Sequence, residues 1–151
     1  AQRRVFGLIP GLEHAEFARY GVMHRNTFLA SPGVLSARYE VIGCEGLFFA
    51  GQITGVEGYV ESAASGLCAG VHLARALKGL PPLVFPTLTA LGALARHIST
   101  PNPDFQPMNV SFGLIDGLQE KIRDKAKRYE AISARALDAL DALNLREGVM
   151  A

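Results

Sequence analysis

The sequence has no tryptophan and only two cysteines, Cys44 and Cys68. Two cysteines so placed give neither a disulfide framework nor a metal-ligand spacing, which excludes a stapled scaffold and a zinc module. Charge of one sign is also missing: 15 Lys and Arg stand against 14 Asp and Glu, a formal net charge of +1. Without a global basic field, any contact with nucleic acid must come from local clustering. No apolar run is long enough to span a bilayer and no secretory leader opens the chain, so no membrane partner is expected and the cytoplasm is the expected compartment. A strand followed by the dinucleotide fingerprint G-x-G-x-x-G is absent as well. What is present suits a globular unit: 151 residues, 49% of them hydrophobic and 19% charged, enough for one domain with a real core.

The sequence is organised around residues 47–67. Leu47 to Ala50 is a short apolar run with the character of a buried strand. Three glycines follow, Gly51, Gly55 and Gly58, and a helix rich in small residues opens after them. A strand, a glycine-rich turn and a helix N-terminus in that order form a cradle for an anion or cofactor. Glycine lets backbone approach a ligand, and the first-turn N–H groups and helix dipole face it. The same pattern also serves as a plain strand-to-helix connection that binds nothing.

The flanks are read from periodicity and breakers. Val5 to Ile9 is a short apolar stretch closed by the turn Pro10-Gly11, and Leu12 to Tyr20 is expected as a short helix stopped by Gly21. Residues 21–28 suit a strand or extended loop, Val34 to Ile42 an alternating strand, and 43–46 a turn. The helix after Gly58 is expected to reach about Lys78, burying Val60, Ala64, Leu67, Val71 and Ala74, with Gly79 and Pro81-Pro82 ending it. On that reading His72 is a solvated helix residue, and Cys68 a small hydrophobe. Thr87 is expected to cap a helix carrying Leu88, Leu91, Leu94, Ala95 and Ile98. Phe105 to Phe112 reads as extended, with Gln106 and Asn109 either facing a ligand or satisfying local backbone. The longest helix is expected from Gly117 to about Leu143, with a frayed end after Leu145. Its outer face sets Lys121, Arg123, Lys125, Lys127 and Arg128 against Glu120, Asp124 and Glu130, a mixed run that reads first as a solvated face.

The segment FFAGQITGVEGYVESAASGL resembles the flavin-contacting stretch of the folate- and flavin-dependent tRNA (uracil-5-)-methyltransferases. GLIPGLEHAEFARYGVMHRNTF, VFPTLTALGALARHI and FQPMNVSFGLI resemble the same family, so the likeness covers nearly the whole chain. The related GidA-type wobble-uridine modification flavoproteins spell the turn differently, closer to AGQINGTTGYEEAAAQG. Val56-Glu57 and Val60-Glu61-Ser62 therefore favour the methyltransferase branch. The resemblance implies an α/β fold: the C-terminal portion of a two-part, Rossmann-like FAD-binding flavoprotein with a helical extension. Residues 1–80 would complete the FAD and folate domain, and 81–151 would form the extension. The missing fingerprint and the absence of an initiating Met fit the C-terminal part of a longer protein, whose N-terminal remainder would be a partner.

The implied chemistry is transfer of a one-carbon unit from methylenetetrahydrofolate through FAD, with NAD(P)H as reductant, to C5 of a uridine in the tRNA T-loop. Flavin contacts fall on Gly51, Gln52, Gly55, Gly58, Tyr59, Val60 and Ser62. Gly51 and Gln52 would approach the ribityl–pyrophosphate region, and Gly58, Tyr59 and Val60 the flavin pyrimidine edge. Folate contacts fall on His24, Arg25 and Asn26, the imidazole being suited to stacking on a pterin. The family's nucleophilic cysteines lie upstream, so no catalytic residue and no metal ligand is expected in this chain; Cys44, beside a carboxylate in a turn, is structural or incidental. The basic run 121–128 is a candidate tRNA phosphate contact. Two alternatives stand beside this reading: a GidA-type wobble-uridine enzyme, and a non-catalytic interaction module.

Overall fold

The computed structural model of the chain describes residues 2–18, 21 and 26–149. Four helices are found there: α1 (Gln2–Phe6), α2 (Tyr59–Leu77), α3 (Ala90–Ser99) and α4 (Lys125–Glu147), with a 3-10 turn at Gln52–Thr54. The expected helix from Leu12 does not form in its described part. Those residues run through turns, and the short helix lies earlier, at α1.

Among the described residues the expected strands are replaced by isolated bridges, and most of the first half of segment 21–28 lies outside those residues. Among the described residues pairing is confined to Pro32 with Leu35, Leu35 with Val41, Glu40 with Phe48, and Val56 with Met108. The physical reason lies at Tyr39, whose φ of 65° is left-handed in a bulky, fully buried residue. Tyr39 N–H donates to Ser36 O (3.0 Å) and Ser36 N–H to Glu40 O (2.9 Å), so segment 34–42 doubles back on itself. Leu47 to Ala50 then runs beside this loop instead of inside a sheet, with Val41 N–H bonded to Leu47 O and Phe49 N–H to Tyr39 O. The turn at 43–46 forms as expected, closed by Leu47 N–H on Cys44 O.

Helix α2 occupies nearly the residues expected, but its buried face is not the apolar one. Ser65, Cys68, Ala69, His72 and Arg75 point inward, while Val60 is 80% and Leu67 56% exposed. His72 is therefore a core residue and not a solvated one. Cys68 is fully buried, as a small hydrophobe should be.

Helix α3 begins two residues later than Thr87 suggested. Thr89 is its cap: its hydroxyl accepts from Gly92 N–H at 3.1 Å and donates to Pro86 O at 2.7 Å. Thr87 instead donates to the Asp116 carboxylate. Helix α4 begins at Lys125 and not at Gly117, because the Asp124 carboxylate accepts Lys127 N–H (2.8 Å). Leu118 and Ile122 thus precede the helix. Among the described residues the expected fraying after Leu145 does not set in at once: the helix runs on to Glu147, Gly148 closes it in the left-handed conformation (φ 60°), and Glu147 pairs with Arg75 of α2 at 2.9 Å.

The core is where these pieces meet. Leu35, Tyr39 and Val56 pack on Cys68 and Ala69 of α2 and on Leu94, Ala95 and Ile98 of α3. No helix among the described residues is long and apolar enough to cross a membrane.

Candidate functional site

The glycine turn is held by its own side chains. Gly51 N–H donates to the buried Ser65 hydroxyl (2.7 Å), and Thr54 Oγ1 donates to Gly51 O (2.8 Å). Ser31 Oγ donates to Thr54 O at 2.8 Å, and Leu29 N–H reaches Ile53 O at 2.8 Å. Gly55 N–H closes the 3-10 turn on Gln52 O (3.0 Å). The amides of Gly51 and Gly55 are thus engaged within the protein.

Each of the three glycines has a left-handed φ, and two have a close neighbour. A Cβ on Gly55 (φ 84°) would lie 2.4 Å from the ring of Phe105. Gly55 therefore has a packing reason, the approach of segment 105–112. That segment is drawn in by Glu57 N–H on Met108 O and Met108 N–H on Gly55 O, both 3.0 Å. A Cβ on Gly58 (φ 90°) would lie 2.1 Å from Glu61 Oε2, because that carboxylate folds back over Gly58 while its Oε1 accepts Val110 N–H (3.2 Å).

At Gly58 the backbone changes character. Gly58 is the N-cap of α2 and brings no side chain to cap it. Among the described residues nothing accepts from the N–H groups of Tyr59 or Val60, which lie in the first turn and so have no partner inside the helix. The Tyr59 side chain is 93% exposed. In front lies a cleft of about 430 Å³ lined by Asn26, Gln52, Glu57, Gly58, Tyr59 and Asn109.

The cleft brings together residues that the sequence analysis assigned separately. Gln52, Gly58 and Tyr59 came from the flavin assignment and Asn26 from the folate assignment. Asn109, one of two polar residues weighed as ligand-facing, is delivered by the Val56–Met108 bridge. Gln106 lies elsewhere, its carbonyl 3.2 Å from His97 Nε2. Ser62 is half-buried and spends its hydroxyl on Val56 O (3.4 Å), stiffening the turn from within. His24 and Arg25 lie outside the described residues. Glu57 lies at the rim; in the sequence it counts only as part of the Val56-Glu57 turn spelling that favours the methyltransferase branch, not as a ligand contact.

Chemically, the cleft offers two first-turn N–H donors, the positive end of a 19-residue helix, and amide side chains able both to donate and to accept. That set suits the edge of a polar heteroaromatic ring carrying partial negative charge. The described lining holds no cysteine, serine or histidine to act as a nucleophile. Cys44 is exposed in the turn at 43–46, and Cys68 is buried with its thiol pushed up to about 11 by desolvation, which makes it inert. No cluster of metal-ligating side chains occurs among the described residues.

Comparison with known proteins bears on the same segments. The family model described as Glucose inhibited division protein A matches residues 1–81. The chain is 58% identical over 149 residues to the methylenetetrahydrofolate–tRNA-(uracil-5-)-methyltransferase TrmFO of Desulfitobacterium hafniense, covering 98% of this chain and 34% of that protein. Proteins of the same name from Natranaerobius thermophilus (60% over 141 residues, 93% of this chain and 32% of the relative) and Enterococcus faecalis (59% over 138 residues, 91% and 32%) match similarly. The chain spans about a third of the length of the curated relatives it matches.

Proposed function

This chain belongs to the Glucose inhibited division protein A family, and from that premise we propose that it is the flavin- and folate-contacting part of a tRNA (uracil-5-)-methyltransferase. The whole enzyme would use methylenetetrahydrofolate and FAD, with NAD(P)H as reductant, in the cytoplasm, to form 5-methyluridine in the tRNA T-loop. The reading rests on one structural observation: the N-terminus of α2 is left open toward a polar cleft by a capping glycine, while the rest of the turn is tied down.

The residues present fit part of a flavin. Tyr59 and Val60 N–H would hold the electron-rich pyrimidine edge, and the helix dipole there favours negative charge by about 0.3–2 kcal/mol. Gln52 would lie along the ribityl–pyrophosphate direction, with Gly51, Gly55 and Ser62 shaping the turn beneath it. Asn26 and Asn109 would orient the folate or flavin ring by hydrogen bonds, beside His24 and Arg25. FAD, when bound, supplies the redox and one-carbon carrier chemistry. This chain's residues bind, orient and exclude water, and the nucleophile belongs to the N-terminal remainder of the protein.

The Rossmann-like α/β architecture is proposed for that whole protein. The uncharged exposed face of α2, with Val60, Ala63, Leu67 and Gly70, supports it, because close packing against a sheet uses such a face. The end of the family match at residue 81 supports a division into 1–80, within the flavin domain, and 81–151, a helical extension.

Gly58→Val in the full-length enzyme tests the site. A branched side chain at φ 90° would meet Glu61 and crowd the open N–H groups, so the variant should keep its helical signal but lose its yellow colour. A folded variant with normal flavin absorbance would refute the placement. The family match also favours a second reading, a GidA-type enzyme acting on the wobble uridine. Nucleoside analysis of tRNA from a deletion strain separates them: loss of 5-methyluridine supports the first, and loss of a wobble modification the second.

A further inference from the structure

The basic run 121–128 acquires a shape that its sequence does not show. Because α4 begins only at Lys125, residues 117–123 form a loop that runs back along the helix. Arg135 holds the start of this loop, donating to Gly117 O (2.6 Å) and to Asp116 O. The loop and α4 enclose a hollow of about 610 Å³ lined by Phe112, Lys121, Ile122, Arg123, Arg128 and Tyr129, among others. Phe112 stacks face to face on Tyr129, with centroids 4.1 Å apart and planes 9° apart, and Phe112 is 43% exposed. Lys125 Nζ and the Arg128 guanidinium lie over the Tyr129 ring at 5.6 and 5.5 Å.

The cations here lack the carboxylate partners that several others in the chain have. Arg38, Arg75, Arg96 and Arg146 each pair with a carboxylate at 2.7–3.1 Å. Lys121, Arg123, Lys125, Lys127 and Arg128 form no ion pair with a described residue. Three carboxylates share the segment: Asp124 is committed to capping α4, Glu120 stands on the rim of the hollow, and Glu130 is exposed. Five cations with no carboxylate partner among the described residues, beside an exposed aromatic stack, combine the two features that hold nucleic acid, phosphate neutralisation and a surface for a base.

We propose that this hollow is a docking site for the tRNA substrate, with Lys121, Arg123 and Arg128 on backbone phosphates and an unstacked base stacked on the exposed part of the Phe112 ring. The proposal rests on the methyltransferase reading, which supplies the RNA. It places the contact on the C-terminal extension, a surface separate from the cleft at Gly58.

The test uses full-length enzyme and unmodified tRNA transcript, with binding measured at several salt concentrations. Lys121→Glu/Arg123→Glu should weaken binding about tenfold or more and make the plot of log K against log salt shallower by about one to two. Phe112→Leu should weaken binding less and leave the slope unchanged, since it removes stacking and no charge. Both variants should retain wild-type flavin absorbance, with the effect on turnover confined to KM for tRNA. Wild-type affinity and slope in the double variant would overturn the proposal while leaving the substrate assignment intact. Wild-type enzyme that does not bind the transcript would overturn both.

Discussion

His72 makes the stability of this protein sensitive to acid in a calculable way. It lies on the buried face of α2, 4% exposed, edge-on to Phe85 at 5.8 Å. Neither ring nitrogen has a hydrogen-bond partner among the described residues. Burial pushes its pKa from the ordinary 6.5 down to about 4; the Arg38 and Arg75 cations push the same way, and Glu40 opposes them. The unfolded chain therefore takes up the proton first. The stability from a neutral His72 is fully present above pH 6.5 and is lost as pH falls toward about 4. At about 1.36 kcal/mol per pKa unit, and allowing for screening, the loss is on the order of 2–3 kcal/mol. His72→Leu removes the titrating group and two unpartnered nitrogens while keeping an apolar body in the core, so at neutral pH it should be as stable as the parent or more so. Urea unfolding of both proteins at intervals from pH 4 to 7.5 measures the difference, with carboxylate contributions cancelling. The gap in favour of the variant should widen by about 2–3 kcal/mol on acidification. Parallel curves over that range would show that His72 is not held neutral by burial.

Three further substitutions probe helix α3 and its start. Gly92→Ala would ordinarily stabilise a helix interior by about 1 kcal/mol. Here the new Cβ would lie 2.2 Å from Pro86 O and 2.4 Å from Phe85 O, both backbone atoms that cannot swing away. The substitution should instead cost about 1–3 kcal/mol, and a raised thermal midpoint would contradict the close approach. Thr89→Ala removes the helix cap and should cost about 1–2 kcal/mol in chemical unfolding. Thr87→Ala loses only the bond to Asp116, so a larger loss at Thr87 than at Thr89 would mean the cap has been misplaced.

Legibility followed the range of the interactions involved. Helix α2 and the turn at 43–46 were readable because adjacent residues decide them: small helix formers bounded by Gly58 and Gly79, and a Gly-Cys-Glu-Gly reversal. Of the candidate cleft, the glycine spacing pointed to Gly58 and the open helix end. It could not say that Gly51 and Gly55 would spend their amides on Ser65 Oγ and Gln52 O. Nor could it separate a glycine kept for packing against Phe105 from one that opens onto a ligand. The caps misled for a related reason. Thr87 and Thr89 are chemically alike, and the choice fell to the one whose hydroxyl could also reach Pro86 O.

The sequence alone determined the local chemistry: which stretches must be helical, where glycine frees the chain, and, through its motifs, the family it joins. The tertiary structure decided which face of each helix turns inward. On α2 the apolar residues Val60 and Leu67 stay outside while Ser65, His72 and Arg75 go in, because the loop reversed at Tyr39 and the end of α4 bring Arg38, Glu40 and Glu147 to that side. Periodicity counts apolar residues along one helix. Burial depends on what stands opposite, and here those partners come from segments up to 72 residues away.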